Sequence, residues 1–393
     1  MSLKTLILLL GAMFLIYACS AMDQQAGRMD ERVHPIPVTE VSIPELGEYR
    51  LPSVLDPRTI ARFETIIPYL ENKRVVYIGE THDRFDHHLN QLEIIRRLHG
   101  IHPDLAIGME FFQQPFQPHL DAYVAGELSE KEFLKASEYY ERWRFDYRLY
   151  RPILRYAQRQ RIPLVALNLP REITSKVGHS GLSSLTKQER QHIPADIDPS
   201  DADYRQRLQK IFEQHPELDF EHFYEAQLLW DEGMAQRAAD YLRNNPERHL
   251  VVLAGSGHLS HGSGIPQRVK RRVDIDFAII LNGVEAGIEP GVADYLLLPR
   301  PLKLPPKGLL GIYMSDTPEG VTVNSFTEGS AAEQEGMERG DQIVSLDGES
   351  IQSSADIKIA LLDKRPGDDV QVGVRRKNDS QAEQHLVFDV GLN

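Results

Sequence analysis

The segment Val75-Val76-Tyr77-Ile78-Gly79-Glu80-Thr81-His82 joins a short apolar run directly to a carboxylate and an imidazole. A run of this length that ends in a glycine-containing polar turn is typical of a buried strand. Similar apolar runs occupy residues 105–109, 164–167, 249–253 and 275–281. Helical patterns fall between them, at residues 86–98, 151–160 and 220–242. This alternation predicts an α/β fold, a mostly parallel sheet with helices on both faces.

Four of the predicted strands run into polar side chains. In open α/β sheets the ligand crevice lies at the carboxyl ends of the strands, so these side chains are expected in one cleft. They are Glu80, His82, Glu110, Asn168 and His258. A buried carboxylate costs several kcal/mol unless it is paired or liganded. Two carboxylates beside two histidines therefore predict a shared cation, a shared proton or a polar ligand.

Histidine and carboxylate ligands together suit a divalent metal such as Mn, Fe or Zn, with Glu80, His82, Glu110 and His258 as its predicted ligands. The same four side chains are the predicted catalytic residues if the cleft activates water against an ester or peptide bond. The sequence contains no His-Glu-x-x-His run, no Gly-x-Ser-x-Gly elbow around Ser256, and neither a Walker loop nor a Gly-x-Gly-x-x-Gly fingerprint. His87 and His88 are expected on the solvated face of the helix after the first strand.

The first residues have the layout of a secretory signal: Lys4, an apolar run over residues 6–18, and then Cys19. The run is too short to span a bilayer comfortably, since a transmembrane helix needs about 20 apolar residues. The stretch Ile16-Tyr17-Ala18-Cys19 resembles a bacterial lipobox, and Cys19 is the only cysteine of the chain. We therefore expect lipidation at Cys19 and a membrane-anchored protein of the cell envelope. Ser20 stands where an Asp would resemble an inner-membrane retention signal, so the resemblance to bacterial lipoproteins implies the outer membrane, facing the periplasm.

Composition and the positions of the prolines divide the rest of the chain into segments. After the signal peptide (1–19), residues 20–56 are polar and proline-rich, which predicts a flexible tether. The α/β domain is expected at 57–298, and the prolines between 299 and 306 mark a boundary. The chain carries 58 acidic against 44 basic residues, which argues against a nucleic acid as partner.

The C-terminal region, residues 306–391, contains a series of glycine-rich motifs: Leu310-Gly311-Ile312, Gly329-Ser330-Ala331-Ala332, Gly340-Asp341-Gln342-Ile343-Val344 and Asp347-Gly348. With these motifs the region resembles a bacterial PDZ domain. Short strands are predicted at residues 309–313, 321–324, 342–346 and 370–375, with one helix at 354–362. The resemblance implies that a peptide or a protein C-terminus adds a strand to the sheet edge, with its carboxylate at Leu310, Gly311 and Ile312.

The α/β domain contains four motifs at its strand ends: Gly79-Glu80-Thr81-His82-Asp83, Gly108-Met109-Glu110-Phe111-Phe112, residues 162–172 and Gly255-Ser256-Gly257-His258. With these motifs the domain resembles the ChaN family of haem-binding, iron-regulated lipoproteins, which is related to the Tiki, TraB and erythromycin-esterase group. The resemblance implies haem held through a tyrosine, with two haems stacked between the protomers of a homodimer. The residues it implies for the cofactor are Glu80, His82, Glu110, Asn168, Arg171, His258 and Tyr204. Further tyrosine candidates are Tyr139, Tyr140, Tyr147 and Tyr150, with Phe111 and Phe112 as apolar walls.

Three functions remain open from the sequence. The first is a membrane-anchored haem- or iron-binding lipoprotein, active in uptake, whose PDZ module recognises a peptide or an envelope partner. The second is a metal-dependent hydrolase, an esterase or protease, that uses the Glu/His cleft. The third is a PDZ scaffold with a degenerate α/β domain.

Overall fold

The computed structural model describes residues 41–43, 47–49, 60–213, 219–284, 287–377 and 382–393. The chain divides into two compact units, Met1–Pro57 and Arg58–Asn393. In the first unit, strands β1 (Val41–Ile43) and β2 (Gly47–Tyr49) pair in antiparallel fashion within the segment predicted as a tether. Cys19 and the predicted signal peptide lie outside the described residues, as does most of the tether.

The predicted parallel sheet is confirmed in the second unit. Its strands are β3 (Val75–Glu80), β4 (Ala106–Gln113), β5 (Leu164–Asn168), β6 (Leu250–Gly255), β7 (Phe277–Asn282) and β8 (Tyr295–Leu297). Their spatial order is β5-β4-β6-β3-β7-β8, and neighbouring strands run parallel. The chain moves outward from β3 to β4 and β5 and then returns to place β6 between β4 and β3. The strand order therefore reverses beside β6, where open α/β sheets bind ligands.

Helices cover both faces of this sheet. They are α1 (Ile67–Leu70), α2 (Phe85–Ile101), α3 (Gln117–Ala125), α4 (Glu130–Ala136), α5 (Tyr139–Arg142), α6 (Arg151–Gln160), α7 (Arg171–Ser180), α8 (Ala202–Phe212), α9 (Phe220–Asn244), α10 (Ser256–Leu259) and α11 (Ile265–Arg272). Alternate strand residues face opposite sides, so Val76 and Ile78 join the core with α2 and α6, whereas Val75 and Tyr77 join the core with α9 and α11. No helix in the described ranges is long and apolar enough to cross a bilayer.

The C-terminal module is antiparallel. It contains β9 (Ile312–Thr317), β10 (Gly320–Phe326), α12 (Ala331–Gln334), β11 (Gln342–Leu346), β12 (Glu349–Ser350), α13 (Ser354–Ala360), β13 (Asp369–Lys377) and β14 (Glu383–Gly391). The sheet order is β14-β13-β11-β10-β9, so β9 is an edge strand among the described residues. The strand predicted at residues 309–313 begins only at Ile312. Leu309 instead exchanges backbone hydrogen bonds with Asn393, and Gly311 has a φ of 73°, which interrupts an extended conformation.

The two domains of the second unit share a packed interface. Ala355 and Ile359 of α13, with Leu362 just after it, belong to the same buried cluster as the aromatic residues of α4 and α5. Ion pairs flank this contact, with Lys135 Nζ 2.9 Å from Asp356 and Arg151 2.6 Å from Asp363. Burial of apolar side chains from both domains favours a fixed arrangement of the two.

Candidate functional site

The polar side chains at the strand ends do converge. Glu80 ends β3, Glu110 lies in β4, Asn168 ends β5, and His258 lies in α10 directly after β6. With His82, which follows β3, they surround or support a cavity of about 320 Å³. Its walls are formed by His82, Glu110, Phe111, Gln113, Arg142, Trp143, Arg144, Phe145, Asn168, Leu169, Arg171, Thr174, Trp230 and His258. We call this space the His/Glu cavity.

His258 is fixed by the carboxylate of Asp231, which was not predicted from the sequence as a site residue. Its Nδ1 lies 2.6 Å from Oδ1 of Asp231, a residue of α9 that is 1% exposed. The hydroxyl of Tyr204 donates to the other oxygen of Asp231 over 2.6 Å. On the opposite edge of the ring, Nε2 of His258 lies 3.4 Å from Oε1 of Glu110. A carboxylate on Nδ1 fixes the orientation of the imidazole and turns Nε2 toward the cavity.

His82 is held in the same way by Glu80, whose Oε1 lies 2.6 Å from Nδ1. Its imidazole packs against Gly255, where a Cβ atom would come within 3.0 Å of the ring. The backbone N–H of Gly255 donates to Oε2 of Glu110 over 2.7 Å, and the Asn168 amide donates to the Glu110 carbonyl over 3.0 Å. The lack of a side chain at residue 255 thus lets an imidazole and a carboxylate meet at the end of β6.

Charge in this cluster is shared between the histidines and the carboxylates. Burial opposes ionisation of Glu110, but the neighbouring imidazolium of His258 outweighs it and lowers the pKa of Glu110 to about 2. Burial likewise opposes protonation of His258, while Glu110 and Asp231 raise its pKa well above the usual value. The pKa of His82 is also raised, against the effect of burial, by Glu80 and Glu110. Both imidazoles therefore favour the protonated form.

The lining of the cavity combines aromatic rings with arginines. The ring of His82 contacts Trp143 (centroids 4.8 Å apart) and Phe145 (5.0 Å), and Trp230 meets His258 edge to face. Three arginines line the same space, Arg142, Arg144 and Arg171. Of these tryptophans, phenylalanine and arginines, only Arg171 was predicted from the sequence. Segment 142–145 carried no strand or helix pattern, so only its aromatic and basic composition could have pointed to it.

Several predicted residues lie behind the cavity instead of in its wall. Glu80 is 3% exposed and supports His82, and Phe112 packs in the core against Phe133. Tyr204 is 4% exposed and bonded to Asp231. The other tyrosine candidates, Tyr139, Tyr140, Tyr147 and Tyr150, are also buried and do not line this cavity. The imidazoles in its lining are those of His82 and His258.

The expectation that His87 and His88 face solvent is wrong. Both are almost fully buried, at 0% and 1% exposure. Nδ1 of His87 accepts a hydrogen bond from the backbone N–H of Thr81 (3.0 Å), and Nε2 of His88 lies 3.1 Å from the carbonyl oxygen of His82. These contacts give hydrogen-bond partners to polar backbone groups in the turn that carries His82. The first turn of α2 folds back over that turn, which a helical periodicity alone does not show.

The predicted metal ligands are paired with one another and do not form a compact ligand set. Within the described residues, the group that brings three ligand atoms within 4.8 Å of one another is His102, Asp104 and His249, at the opposite end of the sheet. The rings of His102 and His249 are stacked, 3.6 Å apart and 17° from parallel. A metal about 2.1 Å from both nitrogens would lie far out of each ring plane, whereas imidazole donates its lone pair in the plane. This arrangement does not suit coordination.

The fold and the site define a class of protein: an α/β domain whose cavity is lined by histidine, carboxylate, aromatic and arginine side chains, fused to an antiparallel β module. Residues 66–269, about half of the chain, match the family model described as haem-binding uptake, Tiki superfamily, ChaN. Residues 308–383 match the PDZ domain model. The chain therefore belongs to the ChaN-like haem-binding family of the Tiki superfamily, and it carries a C-terminal PDZ domain.

Known proteins resemble parts of the chain. The structure titled cofacial heme binding to ChaN of Campylobacter jejuni is 19% identical, covers 61% of this chain and 92% of that chain, and has a TM-score of 0.51, which supports the shared fold. The RETICULATA-RELATED 5 protein of Arabidopsis thaliana chloroplasts is 26% identical over 226 residues, which are 52% of this chain and 30% of that protein. The chain thus spans less than a third of this relative. The PDZ domain of HtrA3 bound to a phage-derived ligand is 27% identical, covers 22% of this chain and 86% of that chain, and has a TM-score of 0.19.

Proposed function

We propose that this protein is a membrane-anchored haem-binding lipoprotein that takes part in haem or iron uptake, and that its PDZ domain recognises a peptide or an envelope partner. Membership of the ChaN-like family supports haem as the ligand. The observation that carries the proposal for this chain is the His/Glu cavity, where two oriented imidazoles, an aromatic wall and three arginines meet.

These residues suit the parts of a haem. The flat macrocycle requires apolar walls, which Trp143, Phe145 and Trp230 supply. The two propionates are carboxylates, and arginine binds carboxylates through paired N–H groups. Arg142, Arg144 and Arg171 line the cavity and would bind the propionates there. The bound haem would supply the iron that the protein captures.

His82 is the iron ligand that the geometry favours. Its side chain is 30% exposed, against 14% for His258, and Glu80 holds its Nδ1 as carboxylates commonly do for metal-binding histidines. An iron ligand must be deprotonated at the coordinating nitrogen, so haem capture would release a proton from His82. Because Glu80 and Glu110 raise the pKa of His82, we expect haem affinity to fall as the pH falls. Ligation by Tyr204 would require its hydroxyl to leave Asp231.

A haemin titration of the chain from Ala21 onward tests this proposal. We expect a saturable Soret change that His82→Ala removes and the exposed control His385→Ala leaves intact. If Tyr204→Phe removes the signal and His82→Ala does not, the iron ligand is the tyrosine. No saturable Soret change would refute haem binding and would favour the PDZ scaffold with a degenerate α/β domain.

The anchor, the uptake role and the dimer need separate tests. Cys19→Ser should release the protein from the membrane fraction, and fractionation of inner and outer membranes should place the wild type in the outer one. A strain lacking the protein should grow more slowly with haem as its iron source. Sedimentation with and without haemin would show whether haem assembles a homodimer.

A metal-dependent hydrolase is the second candidate, favoured by the Asp231–His258 pair, which has the arrangement of a general acid–base dyad. The charge states of Glu110, His82 and His258 argue against a hydrolase. A general base works best with a pKa near the operating pH, whereas the pKa of Glu110 is about 2 and both cavity imidazoles favour the protonated form. We expect no hydrolysis in an esterase and protease panel with added Mn, Fe or Zn. Hydrolysis that Glu110→Gln abolishes would instead favour a hydrolase over a haem-binding protein.

A further inference from the structure

A second cavity, of about 210 Å³, lies along the edge strand of the PDZ domain. Its apolar lining comes from β9 and the residues before it and from α13 and the residues after it: Leu309, Leu310, Ile312, Met314, Ile357, Leu361 and Leu362. The volume is below the ~300–1,000 Å³ of typical small-molecule pockets, so it suits the end of a chain better than a drug-sized ligand. We call this space the PDZ groove.

The ChaN-like domain forms part of the same groove. Tyr140, Asp146 and Arg148 line it together with the PDZ residues. Arg148 donates to the carbonyl of Pro305 over 2.9 Å, and Lys307 Nζ lies 3.0 Å from Asp146 Oδ2. The contact is therefore held by charge-assisted bonds on both sides. An isolated PDZ domain would lack this wall.

The charges of the groove specify the chemistry of its ligand. Three cations, Arg148, Lys307 and Lys358, line it with one anion, Asp146. Lys358 lies over the ring of Tyr140, 5.4 Å from its centroid. Burial, and the nearby charge of Lys307, lower the pKa of Lys358, so an added negative charge would relieve an unfavourable environment. The chain as a whole has a net charge of −14, which makes this local cationic lining distinct.

The two cavities share one segment, residues 139–150. Arg142, Trp143, Arg144 and Phe145 line the His/Glu cavity, whereas Tyr140, Asp146 and Arg148 line the PDZ groove. Phe145, in contact with the His82 ring, is directly followed by Asp146, which binds Lys307 and caps the short helix Tyr147–Leu149. Arg148 and Lys307 each lie 3.0 Å from Oδ2 of Asp146. A carboxylate that draws either cation away would therefore act on a residue adjacent to the wall of the His/Glu cavity.

We propose that the PDZ groove is a composite site, walled by both domains, that binds a partner's acidic C-terminal tail ending in an apolar residue, and that its occupancy is coupled to the His/Glu cavity through residues 139–150. This inference rests on peptide binding by the PDZ domain. Haem binding is not required for it. Coupling between two sites is reciprocal, so a peptide that alters haem affinity must itself bind differently to the haem-loaded protein.

The chain contains a built-in reporter of this coupling. Its two tryptophans, Trp143 and Trp230, both line the His/Glu cavity, and the PDZ domain has none. Tryptophan emission therefore reports on the His/Glu cavity even without haem. In Trp230→Phe the remaining reporter is Trp143, which belongs to the shared segment.

The test uses the chain from Ala21 onward and short synthetic peptides without tryptophan. The peptides end in Val, Leu or Phe with a free carboxylate and carry either Glu or Lys at the preceding positions, and amidated peptides serve as controls. Binding is measured by polarisation of labelled peptide, and tryptophan emission is followed with the unlabelled peptide. We expect the acidic, free-carboxylate peptides to bind best and to change the Trp143 emission of Trp230→Phe with the same midpoint as the polarisation curve.

Variants of the ChaN-like wall complete the test. Arg148→Met, which keeps an apolar stem, should weaken peptide binding by about fivefold, as expected when one partly exposed charge contact in the groove is lost. Lys377→Met, at an exposed cation of β13, is the matched control and should leave binding unchanged. Peptide binding with no emission change, and with equal affinity in Arg148→Met, would overturn the composite site and leave PDZ peptide binding intact. No binding of any peptide would overturn both.

Discussion

Glu110→Gln is the substitution that most directly tests the electrostatic description of the His/Glu cavity. The side chain is 5% exposed, lies 3.4 Å from Nε2 of His258 and accepts the N–H of Gly255. Glutamine keeps the shape and an acceptor oxygen but removes the charge. The imidazolium of His258 then loses one of its two carboxylate partners and keeps Asp231.

The pKa of Glu110 gives the expected size of the effect. A fall from the ordinary 4.5 to about 2 corresponds to roughly 3 kcal/mol of stability, at about 1.4 kcal/mol per tenfold change in proton affinity. Because the pKa is lower in the folded state, this contribution is complete above pH 4.5 and is lost as the pH falls toward 2. The raised pKa of His258 acts in the opposite direction: its contribution is complete below its usual value of 6.5 and is lost as the pH rises through the folded-state pKa. The pair should stabilise the fold most between these limits.

Guanidinium denaturation followed by tryptophan emission is the appropriate assay, because both tryptophans line the cavity. We expect Glu110→Gln to lower the free energy of unfolding by roughly 3 kcal/mol near pH 6 and by much less near pH 3. The exposed control Glu127→Gln should change it by less than about 0.5 kcal/mol. An equal loss at both pH values, or a loss below roughly 1 kcal/mol near pH 6, would refute an ionised Glu110 paired with His258.

Three further substitutions test other parts of the structure. Asp231→Asn should lower the pKa of His258, which an NMR titration of its imidazole can follow; an unchanged titration would show that Asp231 does not control it. Gly233→Ala should lower the thermal midpoint, because a Cβ there would lie 2.4 Å from Leu169; a variant as stable as wild type would contradict that packing. Ile359→Ala should cost about 2–5 kcal/mol in denaturation, since the side chain is buried in the core of the ChaN-like domain, and a cost near zero would argue against the packed interface.

The sequence predicted most of the architecture. The strand over residues 75–78 and the four like it are short apolar runs whose period and boundaries are local properties, and the structure confirms each of them. The PDZ motifs are also local, because glycines such as Gly311 and Gly348 have positive φ values that turns require. The start of β9 was misplaced, since the pairing of Leu309 with Asn393 joins residues far apart in sequence. Strands β8, β12 and β14 were not predicted.

The partners of each site residue were decided by the tertiary structure. The sequence was enough to predict that Glu80, Glu110, Asn168 and His258 share one edge of the sheet, because the carboxyl ends of parallel strands lie at the same edge. The sequence did not predict that Asp231 holds His258, because this contact depends on how α9 crosses the sheet. Asp231 lies 27 residues from the histidine that it orients. The burial of His88 also depends on how distant elements pack. The same is true of residues 139–150, which line both the His/Glu cavity and the PDZ groove. Hydrophobic periodicity specifies which face of an element is buried, but only the packing of distant elements determines which polar groups meet there.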